Sequence, residues 1–334
     1  MRDNPAVVVS SPHPASIDLP ATQSPSSVAV FGPASLSNLG PGFDALGLCI
    51  GGAGDTIIAS LSDEPGVRIT SISGDAGLLP LDAPSNTAAV AAGAVLSAAD
   101  FDVGLELRIE KNVPFGSGIG GSAASAVAGA WAANLALGTP FDKEALVEAV
   151  LAGEAVASGA RHGDNVLPAL FGGLVLVSSS DPTRFRQIAL PRPLHLAIIA
   201  PAVQVLTRVA REILPQNVGL RDAVHNAAEL AFLLDAFRVG DWETVGRCIM
   251  SDRLVEPVRA TLVPCYDAVR HAAMESGAFG CALTGSGPAL FAVAESPDHA
   301  ELVLESMITA SHAAGTDATG FVTEANPHGV TGID

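Results

Sequence analysis

Lysine and aromatic residues are scarce in this sequence. Its 334 residues include two lysines, Lys111 and Lys143, together with one tyrosine and two tryptophans. Acidic residues outnumber basic residues by 35 to 17, which gives a formal net charge of −18. Because the arginines are scattered and form no basic patch, so acidic a chain repels nucleic acid and anionic membranes. We therefore expect neither nucleic acid nor a membrane as a partner.

Cysteine is also scarce, and its spacing argues against a metal site. Cys49, Cys248, Cys265 and Cys281 form no C-x-x-C pair and have no pair of histidines nearby. Such cysteines are typical of free, mostly buried thiols in a reducing compartment. No apolar run reaches membrane-spanning length, and the N-terminus lacks the basic and apolar segments of a secretory signal. The predicted location is the cytoplasm.

The order of predicted helices and strands indicates an α+β fold in two domains. Residues 1–27 are rich in proline and serine and are predicted to be a disordered tail. Residues 28–190 are predicted to form an N-terminal domain and residues 191–334 a C-terminal domain, divided at the proline-bearing break DPTRFRQIALPRP. Strands and helices alternate irregularly, which disfavours a doubly wound parallel sheet.

Local patterns predict the elements around the densest glycine cluster. Residues 104–112 alternate like a strand, and a helix of small residues follows over about 122–137. A second helix is predicted from Thr139 to about Ser158. The earlier segment NLGPGFDALGLCIGGAGD is predicted to be a glycine-rich loop with a short helix.

Four glycines stand directly before the first of these helices, at positions 116, 118, 120 and 121. A bare turn needs one or two, and a glycine within regular structure is about 0.5–1 kcal/mol less favourable than alanine. Glycines let main-chain N–H groups face a ligand, and a helix N-terminus adds unpaired N–H groups and about half a positive charge. The segment is therefore predicted to bind phosphate, with a plain strand-to-helix turn as the structural alternative.

Two common nucleotide motifs do not describe this loop. Three of its glycines match G-x-G-x-x-G, but the helix predicted at Thr139 stands where a dinucleotide fold needs a strand that ends in an acidic residue. The chain also lacks G-x-x-x-x-G-K-[ST], so there is no Walker-type lysine. Ser117 and Ser122 add hydroxyls, and Ser122 could cap the helix, contact phosphate or bind Mg²⁺.

The segment VPFGSGIGGSAASA resembles the phosphate-loop motif P-x-x-x-G-L-G-S-S-A of the GHMP small-molecule kinases. PASLSNLGPGFDALGLCI resembles their first motif in its homoserine kinase form, and CALTGSGPALFAVA resembles the third. GEAVASGARHGDNVLPALFGG, AREILP and EPVRATLVP resemble three further homoserine kinase segments. The matches follow the family's order over most of the chain.

This resemblance implies a fold and a reaction. The N-terminal domain would be ribosomal-S5-like and carry the ATP loop, and the C-terminal domain would be ferredoxin-like and complete the substrate site. The reaction would be the ATP- and Mg²⁺-dependent phosphorylation of the L-homoserine hydroxyl, a step toward threonine. Homodimers are common in the family, and we expect one here.

The resemblance also implies the nucleotide and metal residues. Mg²⁺ would be held by Ser122 and Glu154, and Asn86 would contact adenine. Gly121 replaces the usual first serine of G-S-S, from which we expect a modest loss of ATP affinity. The residues predicted to bind ATP are Pro114, Gly116, Ser117, Gly118, Gly120, Gly121, Ser122, Ala123 and Asn86.

The substrate residues are likewise carried over from the resemblance. Asn38 and Asp44 would bind the ammonium group of homoserine, and the fork-shaped guanidinium groups of Arg211 and Arg259 would bind its carboxylate. His162 and Asn165, in the H-x-D-N segment, would face the substrate. The catalytic set would be Ser122, Glu154 and Asn165.

In this hypothesis Asn165 orients the substrate hydroxyl and no carboxylate acts as a base. Two other functions stay open at this stage: a kinase of the same superfamily for another small alcohol such as mevalonate, and a non-catalytic nucleotide-binding sensor. The two arginines together with H-x-D-N favour an amino-acid substrate, and the retained metal residues favour catalysis.

Overall fold

The computed structural model describes residues 27–114 and 116–333. The predicted disordered tail therefore lies outside the described residues, apart from Ser27. The strands are β1 (Val28–Ser37), β2 (Leu46–Ser62), β3 (Gly66–Ser73), β4 (Gly104–Glu110), β5 (Leu174–Ser178), β6 (Asp181–Ile188), β7 (His195–Pro201), β8 (Gly280–Leu283), β9 (Leu290–Ala294), β10 (Ala318–Glu324) and β11 (Thr331–Ile333).

The helices lie between these strands in an irregular order, which confirms the α+β class. They are α1 (Thr87–Ala99), α2 (Gly121–Ala136), α3 (Val147–Ser158), α4 (Gly163–Phe171), α5 (Thr207–Glu212), α6 (Leu220–Val239), α7 (Trp242–Ile249), α8 (Glu256–Arg259), α9 (Tyr266–Glu275) and α10 (Pro297–Ala313).

The first sheet has the strand order β11-β1-β2-β4-β3, and β5 pairs with β2 and β6 with β5. Helices α1 to α4 contribute with it to one buried core. Small residues let α2 pack very closely, because a Cβ at Gly32 of β1 would lie 2.2 Å from Ala124 O. The run of alanines in α2 is therefore a packing feature that holds the start of this helix fixed against the sheet.

The second sheet is antiparallel, with the order β10-β7-β9-β8. Apolar residues of α9 and α10 pack on one side of it. A further core contains residues from both sheets and from α6 and α7, including Leu36, Ile198, Phe237 and Phe291. This shared core fixes the β8–β9 connection against the phosphate loop.

For residues 38–55 the sequence predicts a loop with a short helix. This prediction is wrong for the second half of the segment, which belongs to β2. Its glycines provide close contacts rather than a turn: a Cβ at Gly47 would lie 1.8 Å from Asp164 O. Residues 46–50 are all buried, so the alternation typical of a half-exposed strand is missing.

Two other local predictions need correction. The predicted second helix begins at Val147 rather than Thr139, because residues 139–146 form turns in which Asp142 Oδ1 accepts the N–H of Ala145 at 2.9 Å. The predicted proline-bearing break is largely the strand β6, which pairs only with β5 and so tolerates Pro182 near its start.

The division of the chain near residue 190 stays a prediction. It falls between β6 of the first sheet and β7 of the second. The strand β11, within the predicted C-terminal domain, pairs with β1 and so belongs to the first sheet.

Candidate active site

The predicted phosphate loop, residues 116–120, has the backbone conformation that its glycines allow. Gly116, Gly118 and Gly120 have φ angles of 70°, 82° and 72°, a region in which residues with a Cβ are strained. A Cβ at Gly120 would also lie 2.4 Å from the hydroxyl oxygen of Ser35. Gly120 occupies the N-cap position of α2, so the loop leads directly into the helix.

The N–H groups of residues 120–123 are available to a ligand. They have no acceptor among residues 27–114 and 116–333. The loop carbonyls bond to the protein instead: Ile119 O accepts the N–H of Ser35 at 3.3 Å, and Ser117 O accepts the N–H of Ala289 at 3.1 Å. Unpaired N–H groups at the positive end of α2 are an arrangement that suits an anion.

The loop rests on the connection between β8 and β9. The Thr284 hydroxyl donates to Gly118 O at 3.4 Å, and a Cβ at Gly118 would lie 2.7 Å from Gly287 O. At the loop's entrance, Pro114 O accepts both the N–H and the hydroxyl of Ser117, at 3.3 and 2.7 Å. The resembled phosphate-loop and third motifs therefore meet in space.

Ser122 and Glu154, the residues predicted to hold a metal, lie in contact. The Ser122 hydroxyl donates to Glu154 Oε2 at 2.9 Å, and Glu154 is 3% exposed on α3. Because Gly120 holds the N-cap position, capping is not the role of Ser122. Among the residues described, no group of three or more His, Cys, Asp or Glu side chains could hold a metal unaided. Two hard oxygen donors at the mouth of a phosphate site suit Mg²⁺, which keeps phosphate and water as further ligands.

Three predicted substrate residues, His162, Arg211 and Asp44, are connected to Glu154 by successive contacts. His162 Nδ1 lies 3.9 Å from Glu154 Oε1, and its Nε2 lies 2.9 Å from Nη2 of Arg211. Arg211 in turn donates to both oxygens of Asp44, each at 3.0 Å. Ser122, Glu154, His162, Arg211 and Asp44 thus form one chain of contacts from the phosphate loop to the substrate residues.

Neighbouring groups shift the pKa values of His162 and Arg211 in this series of contacts. The contact with Glu154 raises the pKa of His162, against burial, which lowers it. A guanidinium N–H can only donate, so Nε2 accepts from Arg211 and the ring proton lies on Nδ1, toward Glu154. The hydrogen bonds to Asp44 raise the pKa of Arg211.

The other predicted carboxylate-binding residue, Arg259, joins the same cluster through Phe43 and Gly285. The guanidinium carbons of Arg259 and Arg211 lie 5.0 and 5.5 Å from the centre of the Phe43 ring. Gly285 O accepts from Arg259 Nη1 at 2.7 Å and from Asn38 Nδ2 at 2.8 Å. Asn38 Oδ1 accepts the N–H of Asp44 at 3.2 Å, so both predicted ammonium-binding residues are held in place.

Asn165 lies in the first turn of α4, which begins after His162. Its amide donates to Asp164 Oδ1 at 3.3 Å. Burial raises the pKa of Asp164 to about 6, and the nearby Asp44 adds to that rise. No hydrogen bond ties Asn165 to the other predicted substrate residues among those described, so its predicted role stays untested.

Asn86 is used structurally. Its side-chain oxygen accepts the N–H groups of Ala88 and Ala89, at 3.0 and 3.4 Å, and caps α1. The predicted contact with adenine stays a prediction, and the capping geometry gives it no support.

Sequence reasoning missed three residues of this region. Phe43 stands beside Asp44 in the first motif, and Gly285 lies in the T-G-S-G turn of the third, so both motifs contained the signal. Lys111, one of only two lysines, lies buried beneath the phosphate loop, and its rarity was a signal as well. All four cysteines are free and buried, as expected.

Comparisons with known proteins agree with this geometry. The profile of the GHMP kinases N terminal domain matches residues 86–173, and that of the GHMP kinases C terminal region matches residues 233–313. Homoserine kinase of Chlorobium phaeobacteroides strain BS1 is 39% identical over 293 residues, which are 85% of this chain and 91% of that protein. Homoserine kinase of Xanthomonas campestris pv. campestris strain B100 is 39% identical over 308 residues, 92% of this chain and 94% of that one.

Solved structures show the same likeness. The crystal structure of homoserine kinase from Cytophaga hutchinsonii ATCC 33406 superposes with a TM-score of 0.89 at 39% identity and covers 95% of this chain and 100% of that chain. L. major mevalonate kinase, at 18% identity and a TM-score of 0.74, shares the fold. Within the described ranges, no helix combines the length and apolar character needed to cross a bilayer.

Proposed function

The chain belongs to the GHMP kinases and, within them, to the homoserine kinases, and from this premise we propose how its own residues perform the reaction. It is an ATP-using kinase that phosphorylates homoserine. The observation that carries the residue assignment is the unbroken chain of contacts from Ser122 through Glu154, His162 and Arg211 to Asp44.

The main-chain N–H groups of residues 120–123 bind the phosphates of ATP. They have no protein acceptor within the described ranges, and the dipole of α2 favours negative charge there. In so acidic a chain, backbone groups can hold a polyphosphate without a cluster of lysines. A rigid set of donors also needs no reorganisation as charge shifts during phosphoryl transfer.

Ser122 and Glu154 would hold Mg²⁺. The ion would supply positive charge to neutralise the phosphate oxygens. The support is the 2.9 Å contact between the two oxygens and the burial of Glu154. Both are hard donors of the kind that Mg²⁺ prefers.

Homoserine is a zwitterion, and the cluster offers groups for both of its ends. Each oxygen of Asp44 accepts one bond from Arg211 and keeps lone pairs for the substrate ammonium. Arg211 and Arg259, stacked at the Phe43 ring, have further N–H groups for the carboxylate. With both ends held, the hydroxyl is fixed in position, and orientation of two reactants is worth about 7–11 kcal/mol.

Asn165 would orient the hydroxyl, and no side chain would act as a general base. The hydroxyl oxygen would bond to the γ-phosphorus as the bond to the leaving ADP breaks, and the hydroxyl proton would pass to an oxygen of the transferred phosphoryl group. Positioning and electrostatic stabilisation then account for the catalysis, as in phosphoryl transfer generally.

We further propose that the protein is a homodimer in the cytoplasm. Free, buried thiols suit a reducing compartment. One broad face of α6 exposes Leu220, Val224, Phe232 and Val239, whose exposed fractions are 80%, 60%, 62% and 54%. An apolar stripe of this length on a helix is typical of a surface covered by another chain. Light scattering should give twice the chain mass, and Phe232→Glu should halve it; a monomeric wild type would exclude the dimer.

The reaction is tested by coupled ADP release with a panel of small alcohols. ADP should form with L-homoserine and Mg²⁺ together, and not when either is omitted. Turnover with mevalonate but not with homoserine would instead support the hypothesis of a GHMP kinase for another small alcohol. Nucleotide binding without turnover on any alcohol would support the sensor reading.

A further inference from the structure

A buried polar network lies beneath the phosphate loop, away from the residues proposed to bind homoserine. We call the latter the substrate cluster; it contains Asn38, Asp44, His162, Arg211 and Arg259. The buried network consists of Asp55 on β2, Lys111 after the end of β4 and Ser125 on α2, which we call the loop clasp. The exposed fractions of these residues are 0%, 9% and 4%. Lys111 is one of two lysines in the chain, and the other, Lys143, is bonded to His328 O elsewhere.

The ammonium group of Lys111 has all of its hydrogen bonds satisfied. It is paired with Asp55 Oδ2, and it donates to Gly121 O at 3.0 Å and to Ser125 Oγ at 2.9 Å. An ammonium has three N–H donors, so three acceptors use all of them. The longer, planar guanidinium of arginine does not match this compact set of acceptors.

The Asp55 carboxylate is equally well satisfied. Its Oδ2 also accepts the Ser125 hydroxyl at 2.7 Å. Its Oδ1 accepts the N–H groups of Asn112 and Val113, at 3.1 and 3.2 Å. The network therefore has no unpaired member, the condition under which a buried polar cluster makes a structure rigid.

The clasp joins the two ends of the loop. Residues 111–113 lead into the loop, and Gly121 and Ser125 lead out of it into α2. The clasp ties both ends to each other and to β2, in the middle of the first sheet. The loop ends cannot separate without breaking a buried ion pair.

The contact with Gly121 O is the part of this network that bears on function. Gly121 is the first residue of α2, and its N–H and that of Ser122 are among the groups with no acceptor in the described part of the chain. Holding the Gly121 carbonyl from below fixes the peptide units that face the anion. Replacement of a buried ion pair by apolar residues of the same shape is often neutral or stabilising, so stability alone is a weak explanation of the clasp.

We propose that Asp55, Lys111 and Ser125 are positioning residues of the ATP site, which hold the loop in its ligand-binding conformation before the nucleotide arrives. A site ordered in advance loses less entropy on binding. The proposal rests on the proposed ATP site at this loop. Loss of the clasp should weaken nucleotide binding and leave homoserine binding intact, because the substrate cluster shares no residue with the clasp.

The test is the double variant Asp55→Asn/Lys111→Met, which removes both buried charges and keeps their shapes. Lys111→Met alone leaves the Asp55 charge unpaired and should lower the thermal midpoint strongly, whereas the double variant should recover most of it. Calorimetry with Mg²⁺ and a non-hydrolysable ATP analogue should nevertheless show Kd for the double variant raised by roughly 10- to 100-fold. The KM for homoserine should not change.

Ser125→Ala is the second variant, and it keeps both charges. It should raise Kd for the analogue by roughly 2- to 10-fold, because the hydroxyl that bridges the two charged groups is lost while their ion pair remains. Lys143→Met is the matched control and should bind the analogue as the wild type does. Wild-type Kd in a folded double variant would overturn the proposal, and if that variant does not fold, wild-type Kd in Ser125→Ala would overturn it.

The same measurements separate this proposal from the proposed reaction. A wild type that binds the analogue but shows no homoserine-dependent ADP release would remove the reaction and leave the clasp to be judged by Kd. Analogue binding that is unaffected by any clasp variant, in an active kinase, would remove the clasp alone.

Discussion

At the phosphate loop the groups proposed to face ATP are main-chain N–H groups, whereas in the substrate cluster the groups proposed to face homoserine are charged side chains. Beneath the loop, charge is buried and fully paired, as in Lys111 with Asp55. In the cluster the charged groups are partly open, with 43% of the Arg211 side chain and 23% of the Asp44 side chain exposed. The two regions meet at Ser122 and Glu154.

This difference teaches which kind of change each region tolerates. Only proline removes a main-chain donor, so other substitutions alter the loop through its glycines and the residues that hold its ends. Side-chain charges can be removed singly, so the cluster responds to single substitutions. Variants at the junction should affect catalysis, cluster variants should affect homoserine, and loop variants should affect ATP.

The largest effect is expected at the junction. Glu154→Gln removes one negative charge and keeps the shape, and kcat should fall by roughly 10²-fold or more, because a group that places charge at the transferred phosphoryl is lost. Steady-state kinetics with saturating substrates measure it, and the circular dichroism spectrum should match the wild type.

Glu148→Gln is the matched control for this prediction. Glu148 is on the same helix, its side chain is 66% exposed, and it pairs with Arg161 at the surface. Its replacement should leave kcat unchanged. Equal kcat for Glu154→Gln and the wild type would take Glu154 out of the metal site and separate the two regions.

The next effect is expected within the substrate cluster. Arg211→Ala removes a bidentate partner of Asp44 and a proposed carboxylate ligand, so the KM for homoserine should rise by roughly 10- to 100-fold. The KM for ATP should stay near the wild-type value. Initial rates at varied homoserine and then varied ATP separate the two constants.

Arg208→Ala, on the same helix, controls for the loss of an arginine. The Arg208 side chain is 73% exposed and pairs with Glu212 along the helix, so both KM values should stay unchanged. If Arg211→Ala raised the KM for ATP alone, the residue would belong to the nucleotide region and the comparison would be wrong there.

A third effect concerns a buried acid behind the substrate cluster. Glu256 lies on α8 with Arg259, and its Oε1 accepts from the Tyr266 hydroxyl at 2.7 Å and from the N–H of Leu283 at 3.1 Å. Burial raises the pKa of Glu256 from 4.5 to about 7, and the two hydrogen bonds oppose that rise. Unlike Asp55, this carboxylate forms no ion pair within the described ranges, although the charge of Arg270 also lowers its pKa.

The sign of the pH dependence follows from that rise. The folded state holds the proton more tightly than the unfolded state, so the stabilisation is complete below pH 4.5 and is lost as pH rises through about 7. Glu256→Gln keeps a neutral acceptor and should not show this loss. Its gain in unfolding free energy over the wild type should be larger at pH 8.5 than at pH 5.5, by about 1–2 kcal/mol.

Urea unfolding at the two pH values measures this gain. Glu243→Gln, at an exposed carboxyl on α7, should show the same small difference at both. A gain for Glu256→Gln that is equal at pH 5.5 and pH 8.5 would mean that the carboxyl does not titrate in this range.

The sequence carried more information on the candidate site than on the contacts that support it. The loop was predictable because its signal is local: four glycines directly before a helix of small residues. Asn38, Asp44, Arg211 and Arg259 were found through short motifs. That they meet at Phe43 and Gly285 depends on packing between distant segments, which no local pattern records.

Elements were missed for the same reason. Asp55 and Lys111 are 56 positions apart, and only the pairing of β2 with β4 brings them together. The first part of β2 was misjudged because its glycines indicate a turn, although Gly47 leaves room for the backbone at Asp164 and Gly54 for the carbonyl of Gly32. The strand β6 contains a proline, which is compatible with a strand only at the edge position that the tertiary structure gives it.

The smallest effect is expected from two buried serines that lie under the same loop. The Ser35 hydroxyl is the one buried side-chain polar atom without a partner in the described part of the chain, whereas the Ser125 hydroxyl bonds to Asp55 and accepts from Lys111. Ser35→Ala forfeits no hydrogen bond and should leave the unfolding free energy equal or raise it by up to about 1 kcal/mol, while Ser125→Ala should lower it by about 1–2 kcal/mol. Urea unfolding of both variants measures the difference. If Ser35→Ala lost as much stability as Ser125→Ala, the Ser35 hydroxyl would be hydrogen-bonded in solution. Both buried hydroxyls beneath the loop would then have hydrogen-bond partners.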